Sequence, residues 1–366
     1  MNKLVFANLV HRPLRSIISI FAVAIEVMMI LSIVAVFMGQ LSSAKDRTNG
    51  IGADLIVSPS NASFLNGVGG APMSVKLAPF LAKLPHVTVA SPAISDFNMS
   101  DNVEILWGID YPSYNALRPF TFLSGGPFTG PDDVIVDDVY AQAKRHKVGD
   151  VITILNHPFR ISGVVESGKG GRRLVPIDTL GTLMGTPDKA SVIYLKSDNP
   201  ANDQAIIDEI HGTRGLANYK VQTMADLTSL YTPSKFPGFS IAMNVVITIA
   251  VIVGFLVIFQ SMYTAVLERT REIGILKSLG SSKLTIVSVV LRETGVLALA
   301  GVLLGIAGTF GVREALHANF ATLAFDLTAG WFGRGALIAF VGALFGALYP
   351  AWMAARKDPI DALAYE

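Results

Sequence analysis

Four apolar stretches limit what this chain can fold into. They run over 17–40, 239–263, 285–312 and 334–355. An α-helix rises 1.5 Å per residue, so about 20 apolar residues cross the hydrocarbon core of a bilayer. Each stretch is long enough. Between the first and the second lies 41–236, of ordinary globular composition, while the later connections are short. Only 16% of the residues are charged, against about 25% in soluble domains. The spacing predicts an integral membrane α-helical protein with four transmembrane helices. An extracytoplasmic mixed α/β domain of two subdomains lies between helices 1 and 2.

Basic residues in short loops set the orientation. Lys3, Arg12 and Arg15 flank the first stretch, and Arg269, Arg271, Lys277, Lys283 and Arg292 follow the second. Arg356 and Lys357 end the fourth, while the connection after the third offers only Arg313 and Arg334. The order is then a cytoplasmic segment 1–16, a span 17–40, the external domain 41–236 and a span 239–263. A cytoplasmic loop 264–284, a span 285–312, a short external loop 313–333, a span 334–355 and a cytoplasmic tail 356–366 complete it. The first stretch is about 24 residues long, beyond the 7–15 of a signal-peptide core, and reads as a retained anchor.

A net charge of +1 gives no field for nucleic acid. There is no cysteine, which excludes disulfides and thiol chemistry. The six histidines are scattered without metal-ligand spacing. Within 41–236, strands are expected at 51–58, 103–109, 134–137, 151–155, 159–165 and 192–196, and helices at 75–84, 139–146 and 200–211. The segment 110–131 reads as turns, the second subdomain falls near 130–190, and 227–237 returns the chain to the membrane. Phe64, Phe97, Phe120, Phe122 and Phe128 suit either a docking surface or a core.

Gly163-Val-Val-Glu-Ser-Gly168-Lys169 has the spacing of a phosphate-binding loop. That motif needs Ser or Thr next and a helix opening at the lysine. Gly170 and Gly171 follow instead, so a basic external loop is the better reading. Residues 268–280 (ERTREIGILKSLG) carry the strongest signal. Glu268, Arg271 and Glu272 share one helical face, and Ile273, Leu276 and Leu279 another. Gly280 can end the helix and Ser281 or Ser282 cap the next. The helix either lies on headgroups or docks a protein. Two acids in its first turns oppose an anionic leaflet and favour the protein.

Glu26 lies mid-span, where a carboxylate costs at least about 2.5 kcal/mol. A substrate or proton site is one reading, and a hydrogen bond to Asn244 or Gln260 is the favoured one. Gly301, Gly305, Gly342 and Gly346 allow close helix approach, within one subunit or between two. Pro350 should loosen the fourth span, and Asp358-Pro359 has the chemistry of a helix start.

ERTREIGILKSLG at 268–280 and PAWMAARKDPIDAL at 350–363, with RPLRS at 12–16 and GADLIV at 52–57, resemble the permease subunit of an ABC transporter of the MacB/FtsX/LolC type. The resemblance covers essentially the whole chain. It implies a bacterial inner-membrane subunit that pairs with a second copy or a paralogue. A cytoplasmic ABC ATPase subunit would sit beneath it and bind ATP and Mg²⁺, with no cofactor in this chain. Glu268, Arg269, Arg271, Glu272, Ile273, Leu276, Lys277 and Gly280 map to the coupling helix that docks that ATPase. Arg356, Asp358, Pro359 and Leu363 map to a C-terminal segment facing it. The family works by mechanotransmission: ATP-driven closure moves the external domain. A periplasmic adaptor (a membrane fusion protein) or a substrate-accepting protein is implied above. This chain shows no fused ATPase, so the resemblance implies a separate subunit, and the hooked loop of lipoprotein-releasing members is not recognisable. Export or extraction of a hydrophobic or amphiphilic substrate is the expected function. The alternative is an FtsX-like signalling subunit that activates a cell-envelope hydrolase. A membrane-anchored enzyme is disfavoured, since 41–236 holds no catalytic constellation.

Overall fold

The computed structural model describes residues 13–62, 72–98, 104–236, 238–320 and 322–357. The chain divides into two compact units. One comprises the chain to Gln40, Pro237–Asn319 and Leu323–Glu366; the other comprises Leu41–Phe236 and Phe320–Thr322.

The chain opens with helix α1 (Pro13–Asn49). The intervening domain then runs β1 (Leu55–Ser58), β2 (Met73–Ser74), α2 (Leu77–Leu81), β3 (Val87–Asn98), β4 (Glu104–Ile109), α3 (Tyr111–Leu117), β5 (Phe122–Gly125) and β6 (Asp133–Asp137). It continues with α4 (Asp138–Lys144), β7 (Val151–Ile154), β8 (His157–Val165), β9 (Arg173–Pro176), α5 (Ile177–Leu183), β10 (Lys189–Ala190) and β11 (Val192–Ser197). It closes with α6 (Asp203–Gly212), β12 (Lys220–Thr223) and α7 (Met224–Ser229). The remaining helices are α8 (Phe239–Glu268), α9 (Thr270–Ser278), α10 (Lys283–Asn319) and α11 (Ala329–Arg356). Among the described residues, α1, α8, α10 and α11 are long and apolar enough to cross a membrane.

Both α1 and α10 outrun the apolar stretches that announce them. Hydropathy marks the segment that lipid covers, whereas a helix continues while its residues favour helix. Residues 313–319 (REALHAN) are mostly such residues and extend α10 to Asn319.

The main sheet follows the order β12-β1-β11-β3-β4-β9-β6-β8-β5, with β7 on β8, and β10 pairs β2 separately. Its two halves meet at the parallel β4–β9 pair, Trp107 opposite Leu174. They correspond to the two expected subdomains. In one half Leu55, Val57, Ile193 and Leu195 pack on Ile206 and Ile210 of α6. In the other, Val134, Val136, Phe159 and Ile161 pack with Leu180 of α5.

Several elements depart from the sequence reading. β3 has no counterpart in the sequence reading, and Pro92 lies inside it. β4 pairs with β3 only from Ala93, so Pro92 has one neighbour, β11, and the missing N–H is tolerated. The turn-rich segment 110–131 contains α3, started by Asp110 accepting from Ser113 N at 3.3 Å, with proline in the first turn. β7 stops at Ile154 because Leu155 and Asn156 take positive φ and close a two-residue hairpin.

In the spanning unit, α1 presents Ser19, Val23, Val27, Ile30 and Val34 as a buried seam. A side chain on Gly301 of α10 would meet Val23 Cβ at 2.6 Å, and one on Gly305 would meet the Ala24 carbonyl at 2.6 Å. On α11, one on Gly346 would meet the Phe255 carbonyl of α8 at 2.8 Å, while Gly342 faces Val251 at 3.7 Å. Gly301, Gly305 and Gly346 thus lie too close to neighbouring helices of this chain for a side chain, whereas Gly342 has ordinary room. Pro350 is buried inside α11, which continues through it to Arg356.

Glu26 lies on the α1 seam, 4% exposed, and its carboxylate occupies the notch left by Gly254 of α8. Its Oε1 has no hydrogen-bond partner. The expected bond to Asn244 or Gln260 is not formed, because both residues are exposed while Glu26 turns inward to the glycine.

Gly305→Ala should lower the apparent melting temperature of the solubilised chain, by the ~1–3 kcal/mol of an overpacked core. Gly311→Ala has open space and should leave it unchanged or raise it, since alanine favours helix by about 1 kcal/mol. Equal melting temperatures for the two variants would contradict the close approach of α1 and α10.

Candidate functional site

The turn after the second span is built by competition for backbone groups. α8 ends at Glu268, and Arg269 leaves the helical region at φ −109°, ψ 16°. Thr270 Oγ1 donates back to the carbonyls of Val266 (3.2 Å) and Leu267 (2.8 Å), satisfying orphaned acceptors at the break. α9 then runs to Ser278. Gly280 takes φ 89°, and Ser281 N donates to the Leu276 carbonyl at 3.0 Å. Ser282 Oγ accepts from Thr285 N at 3.2 Å and caps α10. The glycine stop and serine start are where the sequence puts them.

The single helix over 268–280 is corrected. The break at Arg269 leaves Glu268 on α8, so it does not share a helical face with Glu272. The cause is the Arg269 side chain, which turns inward. Its Nη1 donates to Glu293 Oε2 of α10 at 2.9 Å. Glu293 Oε1 accepts from Arg15 Nη2 of α1 at 2.8 Å, and Arg15 Nη1 lies 3.8 Å from Glu268 Oε2. The Glu293 side chain is 5% exposed. One buried carboxylate thus takes a charge-assisted bond on each oxygen and ties α1, the α8–α9 break and α10 together.

The other end of α9 is tied as well. Lys277 Nζ donates to the carbonyl of Ala355 at 3.1 Å and to that of Lys357. These belong to the last turn of α11, where carbonyls lack helical partners and a cation is favoured. Between the two ties, Ile273 packs with Val266, Ile286, Ala354 and Ala355.

The expected docking residues therefore divide. Glu268, Arg271, Glu272 and Gly280 are exposed, with Ile275 and Ser278 beside them. Arg269 and Ile273 are buried, and Leu276 and Lys277 are half-buried; the first two and Lys277 hold the helix in place. Leu279, expected beside Ile273, is 79% exposed because α9 ends before it. Arg356 stacks on the Trp352 ring at 4.0 Å. Asp358, Pro359 and Leu363, with Arg12 and Phe64, lie outside the described residues, as does the side chain of Phe97. Phe120, Phe122 and Phe128 are half-buried and cluster round Tyr111, 5.6–6.5 Å between centroids, at the edge of the domain core.

A cavity of about 190 Å³ lies inside the turn, lined by apolar Met262, Val266, Ile273 and Ile286 with Glu272 and Glu293. It is smaller than the ~300–1,000 Å³ of sites for drug-sized ligands. Sequence reasoning missed Glu293 and the inward role of Arg15, which counted only towards orientation. The signal was available: Glu293 interrupts the apolar stretch 285–312 as Glu26 interrupts 17–40, and an acid at that depth calls for a partner.

The family described as MacB-like periplasmic core domain matches residues 16–213, more than half of the chain, and that described as FtsX-like permease C-terminal matches 244–359. YknZ of Bacillus subtilis, described as an uncharacterized ABC transporter permease, is 27% identical over 406 residues, covering 100% of this chain and 98% of its own length. MacB of Bdellovibrio bacteriovorus, described as a macrolide export ATP-binding/permease protein, is 26% identical over 416 residues, covering 99% of this chain and 61% of its own. This chain thus spans about three fifths of that relative. The crystal structure of the periplasmic region of MacB from Actinobacillus actinomycetemcomitans is similar at 17% identity and a TM-score of 0.40, over 50% of this chain and 94% of that one. With one family matching α1 and most of the intervening domain and the other matching the spans that carry α9, the chain belongs to the MacB/FtsX-type ABC transporter permeases.

Proposed function

We propose that this permease subunit works by mechanotransmission in a bacterial inner membrane, with both termini and α9 in the cytoplasm. A separate ABC ATPase, binding ATP and Mg²⁺, docks on the exposed residues at the α8–α9 turn, chiefly Glu268 at the end of α8 and Arg271 and Glu272 of α9. A second copy or a paralogue completes the assembly. Hydrolysis then moves the intervening domain on the other side, where an adaptor or substrate-accepting protein meets it, to export or extract a hydrophobic or amphiphilic substrate. This chain itself carries out no catalysis.

The observation that carries the reading is the fixing of α9 at both ends. Glu293 joins it to α1 and α10, and Lys277 joins it to α11. A force on the exposed face is therefore shared by the spans rather than lost in a mobile loop. The exposed acids Glu268 and Glu272, with Arg271, at this turn also suit a protein surface better than anionic headgroups. The match of the MacB-type domain over 16–213 favours export over activation of a hydrolase.

The test is purification of the chain from its native membrane in mild detergent, with bound proteins identified and ATP hydrolysis assayed. A co-eluting ABC ATPase is expected. Its recovery should fall about tenfold or more in the Glu268→Lys, Glu272→Lys double variant, corresponding to ~1.4 kcal/mol or more of docking, with the chain still folded. A dimeric chain without ATPase, or full transport by the double variant, would sink the proposal. A co-purifying envelope hydrolase in place of an adaptor would select the signalling alternative.

The tie makes a second prediction. Glu293→Gln removes the buried carboxylate that Arg15 and Arg269 share, and should cost up to about 3–5 kcal/mol, read as a lower apparent melting temperature. Replacing Arg15, Arg269 and Glu293 together by Met should recover the melting temperature, because apolar side chains pack where the ions were. It should not recover coupling of ATP hydrolysis to transport. Full coupling in the triple variant would mean the ions serve stability alone.

A further inference from the structure

The glycine-rich segment 166–172 (ESGKGGR), which mimics a phosphate-binding loop in sequence, opens no helix. It lies between β8 and β9. Gly168 and Gly170 take φ of 116° and 82°, which favours glycine at both. A side chain on Gly170 would meet the Trp107 ring at 2.8 Å and the Tyr114 hydroxyl at 2.9 Å; one on Gly171 would meet Trp107 Cβ at 2.7 Å.

The polar groups of the segment bond to this chain. Tyr114 Oη donates to the Lys169 carbonyl at 3.2 Å. Lys169 Nζ donates to the Arg118 carbonyl at 2.8 Å and sits 5.2 Å from the Phe120 ring centroid. Its burial, with Arg118 nearby, draws the amine down to about 8. Gly170 N donates to the carbonyl of Arg47 near the C-terminal end of α1 at 3.0 Å, and the Gly168 carbonyl abuts Gly50 where a side chain has no room. Arg172 spreads its fork: Nη1 donates to Asp137 Oδ2 at 3.3 Å and Nη2 to the Thr322 carbonyl at 3.0 Å. Asp137 is anchored in turn, accepting from Tyr140 N at 2.7 Å to cap α4.

Three parts of the chain meet here: the end of α1, the sheet, and the connection between α10 and α11. Leu41–Asn49 of α1 and Phe320–Thr322 belong to the compact unit of the intervening domain. We infer that the segment 166–172 is a mechanical joint. The backbone of Gly168–Gly170 fastens residues 41–49 of α1 to the sheet, and Arg172 pins the backbone at Thr322 to it, so that these segments and the sheet move as one body within this unit. The joint is a property of the chain alone and does not depend on which ATPase docks at α9.

The test is amide hydrogen exchange on the full chain in lipid nanodiscs without nucleotide, for wild type, Arg172→Ala and Arg172→Lys. In Arg172→Ala, peptides covering 320–322 should exchange about tenfold faster or more, as expected when charge-assisted bonds are lost. Peptides of β11 should keep their protection. Arg172→Lys retains a charge beside Asp137 but has no planar fork to reach Thr322 as well, so it should loosen 320–322 similarly. The chain has no native cysteine, so spin labels on Lys45→Cys and Lys220→Cys can report the α1 end against the sheet edge. Gly170→Ala should broaden that distance distribution. If Arg172→Ala also exposes β11, Arg172→Lys is the readout: faster exchange at 320–322 with β11 protected supports the joint, and exposure of β11 there as well means that Arg172 supports the whole sheet and overturns it. Unchanged exchange at 320–322 together with an unchanged label distribution would overturn the joint.

Discussion

The turn between the second and third spans depends on one buried carboxylate. Glu293 holds Arg269 on one oxygen and Arg15 on the other, at 2.9 and 2.8 Å. Buried ion pairs seldom add net stability, because desolvation cancels much of the attraction. Apolar side chains would fill the same space at no loss. What ions impose that apolar contacts do not is direction: each bond needs a particular rotation of α1, a particular break after Glu268 and a particular depth of α10. Sliding any of these by one residue would leave a charge unpaired in a dry place, which costs several kcal/mol. The cluster therefore fixes register, and α9 inherits its orientation from it.

The two intramembrane acids show how differently one residue type is accommodated. Glu293 has two guanidinium partners. Glu26 has a glycine, and its Oε1 has no partner. Gly254 gives Glu26 room rather than charge, and room is a steric condition that an isolated reading of α1 cannot contain. Gly301 and Gly305 of α10 and Gly346 of α11 work likewise, bringing α1 and α8 within the distance that a Cβ would forbid.

Legibility in the sequence follows the range of the interaction responsible. The four spans were readable because bilayer thickness acts on each stretch separately. The stop at Gly280 and the cap near Ser282 were readable because both act within one turn. β3, β9 and α5 were not: β3 contains Pro92 and β9 is only Arg173–Pro176, and it is β11, β4 and β6 that make strands of them by pairing. At the site, Glu268 and Glu272 are exposed but do not share the face that helical spacing gave them, because the inward turn of Arg269 requires Glu293, 24 residues away, and Arg15, 278 residues from Glu293. Long-range partners decide those positions, and periodicity within one element carries no record of them.

The segment 163–169 makes the same point from the opposite side. A phosphate loop and a tight structural turn both need glycines that reach positive φ and leave backbone N–H groups pointing inward, so the two share a spelling. Their difference lies in what receives the N–H. Here the N–H of Gly170 meets the carbonyl of Arg47, and the lysine that would reach a phosphate is engaged with Arg118 beside an aromatic ring. The glycines allow α1 to be held by main-chain contacts, which side-chain substitution cannot easily remove. A motif of this kind records a backbone requirement, and the chemistry is assigned only by the partner on the other side of the hydrogen bond.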